Sequence, residues 1–375
     1  MRSSFGWLGK VCFWASAFSH LSSLQGQAQS WQFYQAPGTN SGVAMETSFE
    51  DIDGTKFVGR QNPGIDEPDR GIIYDSATAS WTTLHKAGAY ATTIFSKDGS
   101  IFVGEYANRI IQEGSTNFTF HGFLSADNGN TLHGFDLPDV PQAASSILYG
   151  VRGSKLTGTY YTNSVTSPNG GYFDQRTHDG GRGFVHDLST GTTRTFAISN
   201  AITTQAVSLL RGSSNNVVVG TAYFEISGAL TSKAFIYDLD SQSETLLQFG
   251  EAEFTTFFAG EGGRFVGAYR DDFIFEDPID GPISSYNIKG LLYDQTTQTW
   301  ASLEAPGAYH TWANSIHGDT IVGTSFYVNL AGAETPDPDD WAFKAFVYTV
   351  PEPGSTGLAA LGLGTLLMRK RRGRR

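Results

Sequence analysis

Apolar and polar positions along this chain alternate with the period of two that marks β-strands, and the alternation comes in short runs separated by polar turns. Four stretches align without a gap: GIIYDSATASWTTL from Gly71, GFVHDLSTGTTRTF from Gly183, AFIYDLDSQSETLL from Ala234 and GLLYDQTTQTWASL from Gly290. A weaker copy, GFLSADNGNTLHGF, begins at Gly122. Each consists of an apolar run, a turn rich in Asp, Ser, Thr, Asn or Gly, and a second alternating run, which predicts a β-hairpin. Between them lie shorter signals ending in glycine: TKFVG, SIFVG, SKLTG, NVVVG, GRFVG and DTIVG, at Gly59, Gly104, Gly158, Gly220, Gly267 and Gly323. Most follow a tight turn such as Asp53-Gly54, Asp98-Gly99 or Gly318-Asp319. Each repeat therefore supplies two hairpins.

The glycine spacings are 45, 54, 62, 47 and 56 residues, a length that suits a four-stranded propeller blade better than a solenoid coil. A further copy starts at Ala345 as AFVYTV and lacks its partner strand, whereas WQFYQAPG from Trp31 matches WASLEAPG from Trp300 at Trp, Ala-Pro and Gly. The sequence thus predicts an all-β fold, a six-bladed β-propeller spanning residues 29–349, with an N-terminal strand closing the last blade and removing exposed sheet edges. LEAPGAYHTWANSIHGDTIVG (Leu303 to Gly323) and LHKAGAYATTIFSKDGSIFVG (Leu84 to Gly104) resemble the HAF-type extracellular repeats of secreted bacterial proteins. The corresponding copies at Thr193 to Gly220 and Leu247 to Gly267 lack the Pro-Gly-Ala turn. That resemblance implies an exported repeat protein and no particular reaction.

The two ends read differently from the body. Arg2 and Lys10, an apolar stretch from Val11 to Phe18 and a small-x-small site at Gly26 and Ala28 predict a signal peptide over residues 1–28, cut after Ala28. The lone cysteine, Cys12, would leave with it, so the mature body would hold neither disulfide nor thiolate. Residues 350–375 combine Pro351-Glu352-Pro353, a 15-residue apolar or small run from Gly354 to Met368, and six basic residues among the last seven. The run is short for a permanent span of about 20 residues, and the basic block would stay cytoplasmic. This arrangement resembles the PEP-CTERM sorting signal. The resemblance implies that Pro351, Glu352 and Pro353 are read by the membrane protease exosortase, that the chain is held transiently at the inner membrane, and that it ends at the cell surface or outside the cell.

Charge narrows the partners. The whole chain has 25 basic and 37 acidic residues. Without Arg2, Lys10, the six tail cations and Glu352, 17 basic face 36 acidic, a surface that repels nucleic acid and anionic lipid. There is no His pair at helical spacing, no Cys pair, no phosphate-cradling loop and no nucleophile elbow. Asp51-Ile52-Asp53-Gly54 has a faint look of a calcium loop but stands where other repeats place a plain turn; His186 reads as a strand residue, and Trp31, Trp81 and Trp300 as packing residues. No catalytic residue is expected and no cofactor beyond Ca²⁺.

The connections between the VG strand and the GFxYD strand carry the candidate ligand face. Tyr172 and Asp174, Asp271 and Asp272, and Asp337, Asp339, Asp340 and Trp341 lie in three long insertions that join carboxylates with aromatics. Aromatic faces stack on sugar rings, and carboxylates accept hydroxyl hydrogen bonds or grip Ca²⁺; solvated loops with aromatic plugs are the plainer account. The expected function is an exported, non-enzymatic surface or matrix protein that binds exopolysaccharide. A carbohydrate-active enzyme, glycosidase or lyase, with carboxylates from neighbouring blades around a central channel, and a protein-interaction scaffold are the alternatives.

Overall fold

The structure is a computed structural model, and it describes residues 30–37, 46–62, 67–112, 115–137, 139–140, 145–162, 166–168, 180–211, 216–226, 229–272, 275–277, 281–283, 286–328 and 341–350. The chain divides into two units, one of Trp31–Tyr348 and one of Met1–Ser30 with Thr349–Arg375. The predicted signal peptide with Ala28, and Pro351, Glu352 and Pro353, lie outside the described residues. The described residues are all-β and contain no helix.

One strand order recurs. After β1 (Ser30–Tyr34), the strands β2 (Glu46–Asp53), β3 (Lys56–Asn62), β4 (Arg70–Asp75) and β5 (Ser80–Leu84) pair antiparallel in sequence order. β6 (Ala91–Asp98), β7 (Ile101–Gln112), β8 (Ser115–Ser125) and the short β9 (His133–Phe135) repeat it. β10 (Ser145–Arg152) and β11 (Lys155–Tyr161) are followed by β12 (Thr166–Pro168), which pairs with β8, and then by β13 (Arg182–Asp187) and β14 (Thr192–Phe196), which complete their own sheet. Next come β15 (Thr203–Leu209), β16 (Val217–Ile226), β17 (Ala229–Asp238) and β18 (Ser243–Leu247). β19 (Phe254–Glu261) and β20 (Arg264–Asp272) are separated by a small hairpin, β21 (Phe275–Asp277) and β22 (Gly281–Ile283), from β23 (Tyr286–Asp294) and β24 (Thr299–Leu303). The last sheet takes β25 (His310–His317), β26 (Thr320–Val328) and β27 (Trp341–Thr349) from the end of the chain and β1 from its beginning, in the order β1-β27-β26-β25.

The recurrent VG glycines have a steric cause. In each first strand the register slips by one residue, at Glu50, Phe95, Tyr149, Val207, Phe258 and Asn314. Such a bulge bends the strand and raises its twist. The glycine pairs with the residue just before the slip, as Gly220 does with Ala206. A Cβ on any of these glycines would lie 1.9 to 2.0 Å from a carbonyl oxygen of the first strand, Gln205 O in the case of Gly220. Only a residue without a side chain fits there. Phenylalanines cover several of the bare positions: Phe123 over Gly104, Phe184 over Gly158, Phe235 over Gly220 and Phe346 over Gly323.

The second hairpins are held by their aspartates. Asp294 Oδ1 accepts from Thr296 N (2.8 Å) and Thr297 N (3.1 Å), and Asp238 Oδ1 does the same for Asp240 N and Ser241 N; these Asx contacts fix the turn. The residue opposite the repeated tyrosine is tryptophan in two sheets, Trp81 against Tyr74 at 4.6 Å and Trp300 against Tyr293 at 4.4 Å. In the last sheet Trp31 packs on Tyr348 at 4.7 Å and on Phe346 at 4.9 Å. The tryptophans are packing residues, as their recurrence implies, and His186 is a buried strand residue whose Nδ1 meets Thr193 Oγ1 at 2.9 Å.

The core lies between sheets. Val185 and Phe196 pack with Ala206, Val218 and Phe235 of the following sheet. Likewise Phe49, Phe57 and Ile72 pack with Val322, Ala345 and Val347, so the end of the described chain lies against its beginning. Ser48 and Thr324 hydroxyls meet at 2.6 Å across the same junction, and Asn314 Nδ2 donates to Phe49 O at 2.8 Å.

Candidate functional site

The residues chosen from the sequence are only partly placed. Tyr172, Asp174, Asp337, Asp339 and Asp340 lie outside the described residues. Asp271 and Asp272 do not sit in a loop: β20 runs on through them, pairing Asp271 with Asn287 and Asp272 with Tyr286 of β23. Trp341 begins β27 rather than ending a loop. The insertion between β20 and β23 is thus mostly an extended hairpin, because the alternation Tyr-Arg-Asp-Asp against Tyr-Asn-Ile-Lys can pair as strand.

The strongest convergence of polar chemistry is elsewhere, where the first strands end. Asp51 of β2 is 2% exposed. Its Oδ1 accepts from Ser315 Oγ (2.6 Å), Ile52 N (2.9 Å), Arg211 Nη2 (3.1 Å) and Arg152 Nη2 (3.4 Å). Its Oδ2 accepts from Ser96 Oγ (2.6 Å), Lys97 N (3.1 Å) and Arg152 Nη1 (3.2 Å). One carboxylate therefore gathers donors from β6, from the end of β10, from Arg211 just past β15, and from β25. Burial alone would push this carboxyl up; Arg152 and Arg211, with the hydroxyls of Ser315 and Ser96, outweigh it and hold the group well below the usual carboxylate range. It stays ionised and fully engaged, which makes it a tie between sheets and a poor proton carrier.

Around this point the turns are stitched one to the next. Asp53 Oδ2 accepts from Gly99 N at 3.0 Å and from Lys97 Nζ at 2.6 Å. Asp98 Oδ2 accepts from Gly153 N at 2.5 Å, and Glu261 Oε2 from Gly318 N at 2.5 Å. Arg211 Nη1 meets His317 Nδ1 at 3.1 Å, and Arg264 reaches Asp319 at 2.8 Å. Asp51-Ile52-Asp53-Gly54 is therefore the end of β2 running into a hairpin turn at Gly54 (φ 60°), and both its aspartates bind protein cations.

A second polar group gathers around Arg60 of β3. Arg60 Nη1 pairs with Asp69 at 3.2 Å. Burial, only partly opposed by Arg60, pushes the carboxyls of Glu46 and Asp69 up. Burial also raises Glu50, the bulge residue of β2, against the Ser48 hydroxyl and Arg60, with Glu105 and Asp51 adding to the rise. Among the described residues no group of three or more His, Cys, Asp or Glu side chains is arranged to hold a metal ion.

The sequence carried one sign of the Asp51 centre that local motifs do not reveal. Aligned on the turns, the position of Asp51 is filled by Ser96, Gly150, Ser208, Ala259 and Ser315 in the other repeats. A lone aspartate in a column of small residues marks a buried charge with distant partners.

No family model matches the chain, and no curated protein matches it in sequence. Solved structures do resemble it. A putative TolB from Agrobacterium tumefaciens is 13% identical with a TM-score of 0.45, covering 83% of this chain and 91% of that one. TolB from Acinetobacter baumannii is 13% identical with a TM-score of 0.44, covering 79% and 64%. An oligogalacturonate lyase in complex with manganese is 15% identical with a TM-score of 0.38, covering 86% and 97%. Likenesses this distant assign no activity to the chain.

Proposed function

We propose that this protein is an exported, non-enzymatic six-bladed β-propeller of the cell surface or extracellular matrix, sorted by exosortase through its C-terminal tail and binding exopolysaccharide through the loops between second and third strands. The blade assignment is supported by the recurring strand order and by β1, which takes the outer place beside β27 and sets Trp31 against Tyr348 as Trp81 is set against Tyr74. The observation that carries the non-enzymatic reading is Asp51: where the blades meet, the carboxylate accepts from protein donors on both oxygens. Binding is then left to the acidic and aromatic insertions, and release to the Pro351-Glu352-Pro353 tail.

Two measurements on the full chain test this. In a host with exosortase, replacing Pro351, Glu352 and Pro353 by Ala leaves an unprocessed, membrane-associated species while the wild type is released; equal release of both sinks the sorting claim. Wild type co-sediments with neutral exopolysaccharide, and a variant with Asp337, Asp339 and Asp340 changed to Ser and Trp341 to Ala does not. Glycan turnover by the purified protein would replace the binding role with the enzymatic one.

A further inference from the structure

The sheet of β25, β26, β27 and β1 carries a group of rings that the repeat does not call for. Its first strand has Trp312 where the other first strands have Ser48, Thr93, Ile147, Gln205 and Thr256, and at the position of His310 only Phe254 supplies another ring. His310 stands opposite Phe326 of β26, and Trp312, two residues on, shares its face of the sheet. His310 is stacked on Phe326 at 5.3 Å, and Phe343 of β27 packs on Phe326 at 4.6 Å. Trp312 lies 5.3 Å from His310 and 6.3 Å from Phe343, its plane 23° from that of Phe343. Phe326 is buried and forms the floor, while His310, Trp312 and Phe343 are half-buried.

Two hydrogen-bond donors sit among these rings. Ile288 N donates to His310 Nδ1 at 3.0 Å, so the neutral imidazole carries its proton on Nε2. Burial alone pushes the His310 pKa down to about 4, and no carboxylate or cation acts on the ring. Neither His310 Nε2 nor the indole Nε1 of Trp312 has a protein acceptor among the described residues, and neither atom is sealed from solvent. The group therefore offers ring faces and uncharged donors together. A saccharide ring matches both, with C–H groups on one side and hydroxyl oxygens around its rim.

We infer that one pyranose unit of a neutral polysaccharide binds on this face of the sheet, its C–H side against Trp312 and Phe343 and its hydroxyl oxygens accepting from His310 Nε2–H and Trp312 Nε1–H. This rests on the polysaccharide-binding reading and adds to it a subsite on paired strands, at the sheet end where residues 329–340 leave β26 and rejoin β27. Strands hold such donors in place before the ligand arrives. An acidic saccharide is disfavoured, because the chain around the site carries a large excess of carboxylates.

The test titrates the full chain by calorimetry with cellohexaose, mannohexaose, maltohexaose and hexamannuronate. At least one neutral hexaose binds the wild type, and hexamannuronate does not. Trp312→Ala removes the platform and weakens binding about tenfold; Trp312→Phe keeps a ring without the N–H and weakens it about fivefold. If a neutral hexaose binds and both Trp312 variants bind it unchanged, this subsite is overturned and the polysaccharide reading stands; if none binds, both fall. Binding of hexamannuronate as tight as that of a neutral hexaose also overturns the subsite. Should Trp312→Ala fail to fold, the wild-type indole N–H resonance that Trp312→Phe removes decides: a shift on adding the bound hexaose supports the subsite, and a fixed resonance overturns it.

Discussion

The first hairpin of each repeat and the connection that follows it have opposite characters. The first hairpins share a bulge and a glycine pressed on a carbonyl oxygen, and three of their turns are tied to the next one. The connections from second to third strand share nothing: a short link between β3 and β4, long paired strands in β7 and β8 and again in β16 and β17, and a separate hairpin between β20 and β23. The difference teaches where sequence freedom lies. A residue at the buried centre is constrained by several sheets at once, so it can change only with its partners, whereas a connection answers to its own two strands.

The comparison is broken most severely at Asp51. Asp51→Ala leaves Arg152 and Arg211 buried without a counter-charge, and removing one member of such a cluster costs about 3–5 kcal/mol; denaturant unfolding should show this loss, and a loss below about 1 kcal/mol would mean that the first strands do not depend on the tie. Gly220→Ala comes next. A methyl group 2.0 Å from Gln205 O and 2.9 Å from the Phe235 ring cannot be accommodated without moving backbone, at a cost of about 3 kcal/mol. Unchanged stability would show that the bulge tolerates a side chain.

The smallest effect concerns pH and has the opposite sign. Glu46, Glu50 and Asp69 bind protons more tightly in the folded chain than free carboxyls do. Their contribution is present below the ordinary carboxylate pKa of about 4 and is lost as pH rises through their folded values. Asp51 works the other way, stabilising above the ordinary value and failing only as pH drops through its lowered one. Stability should therefore rise on mild acidification before it falls. Glu50→Gln should gain stability at pH 7, within about 1 kcal/mol, and flatten the mildly acidic rise; an unaltered pH profile would place the rise on other groups.

Much of the β architecture was legible in the sequence because its signals are local: alternation, Asx turns at Asp238 and Asp294, and the Tyr-Trp pair that Trp31 and Tyr348 repeat. The recurring VG glycines were visible too, but their reason was not, since a bulge at Glu50 or Val207 leaves no residue signature of its own. The Asp51 centre was hidden by distance. Arg152, Arg211 and Ser315 lie 101, 160 and 264 residues away, and no spacing rule connects them. Asp271 and Asp272 were assigned to a loop because they stand in a long insertion that the other repeats lack, yet backbone pairing with Asn287 and Tyr286 carries the strand on through them.

The place of β1 beside β27 also orders events in time. A chain synthesised from its first residue presents Ser30–Tyr34 long before Trp341–Thr349 exists to receive it. Until then Trp31 lacks Tyr348, and β27 in turn arrives to find its outer neighbour at the far end of the chain. The last sheet can assemble only by bringing the two extremes together, the step with the greatest loop-closure entropy. Folding of this protein is thus gated by completion, and any intermediate cut short before Trp341 keeps an unsatisfied strand at its leading end.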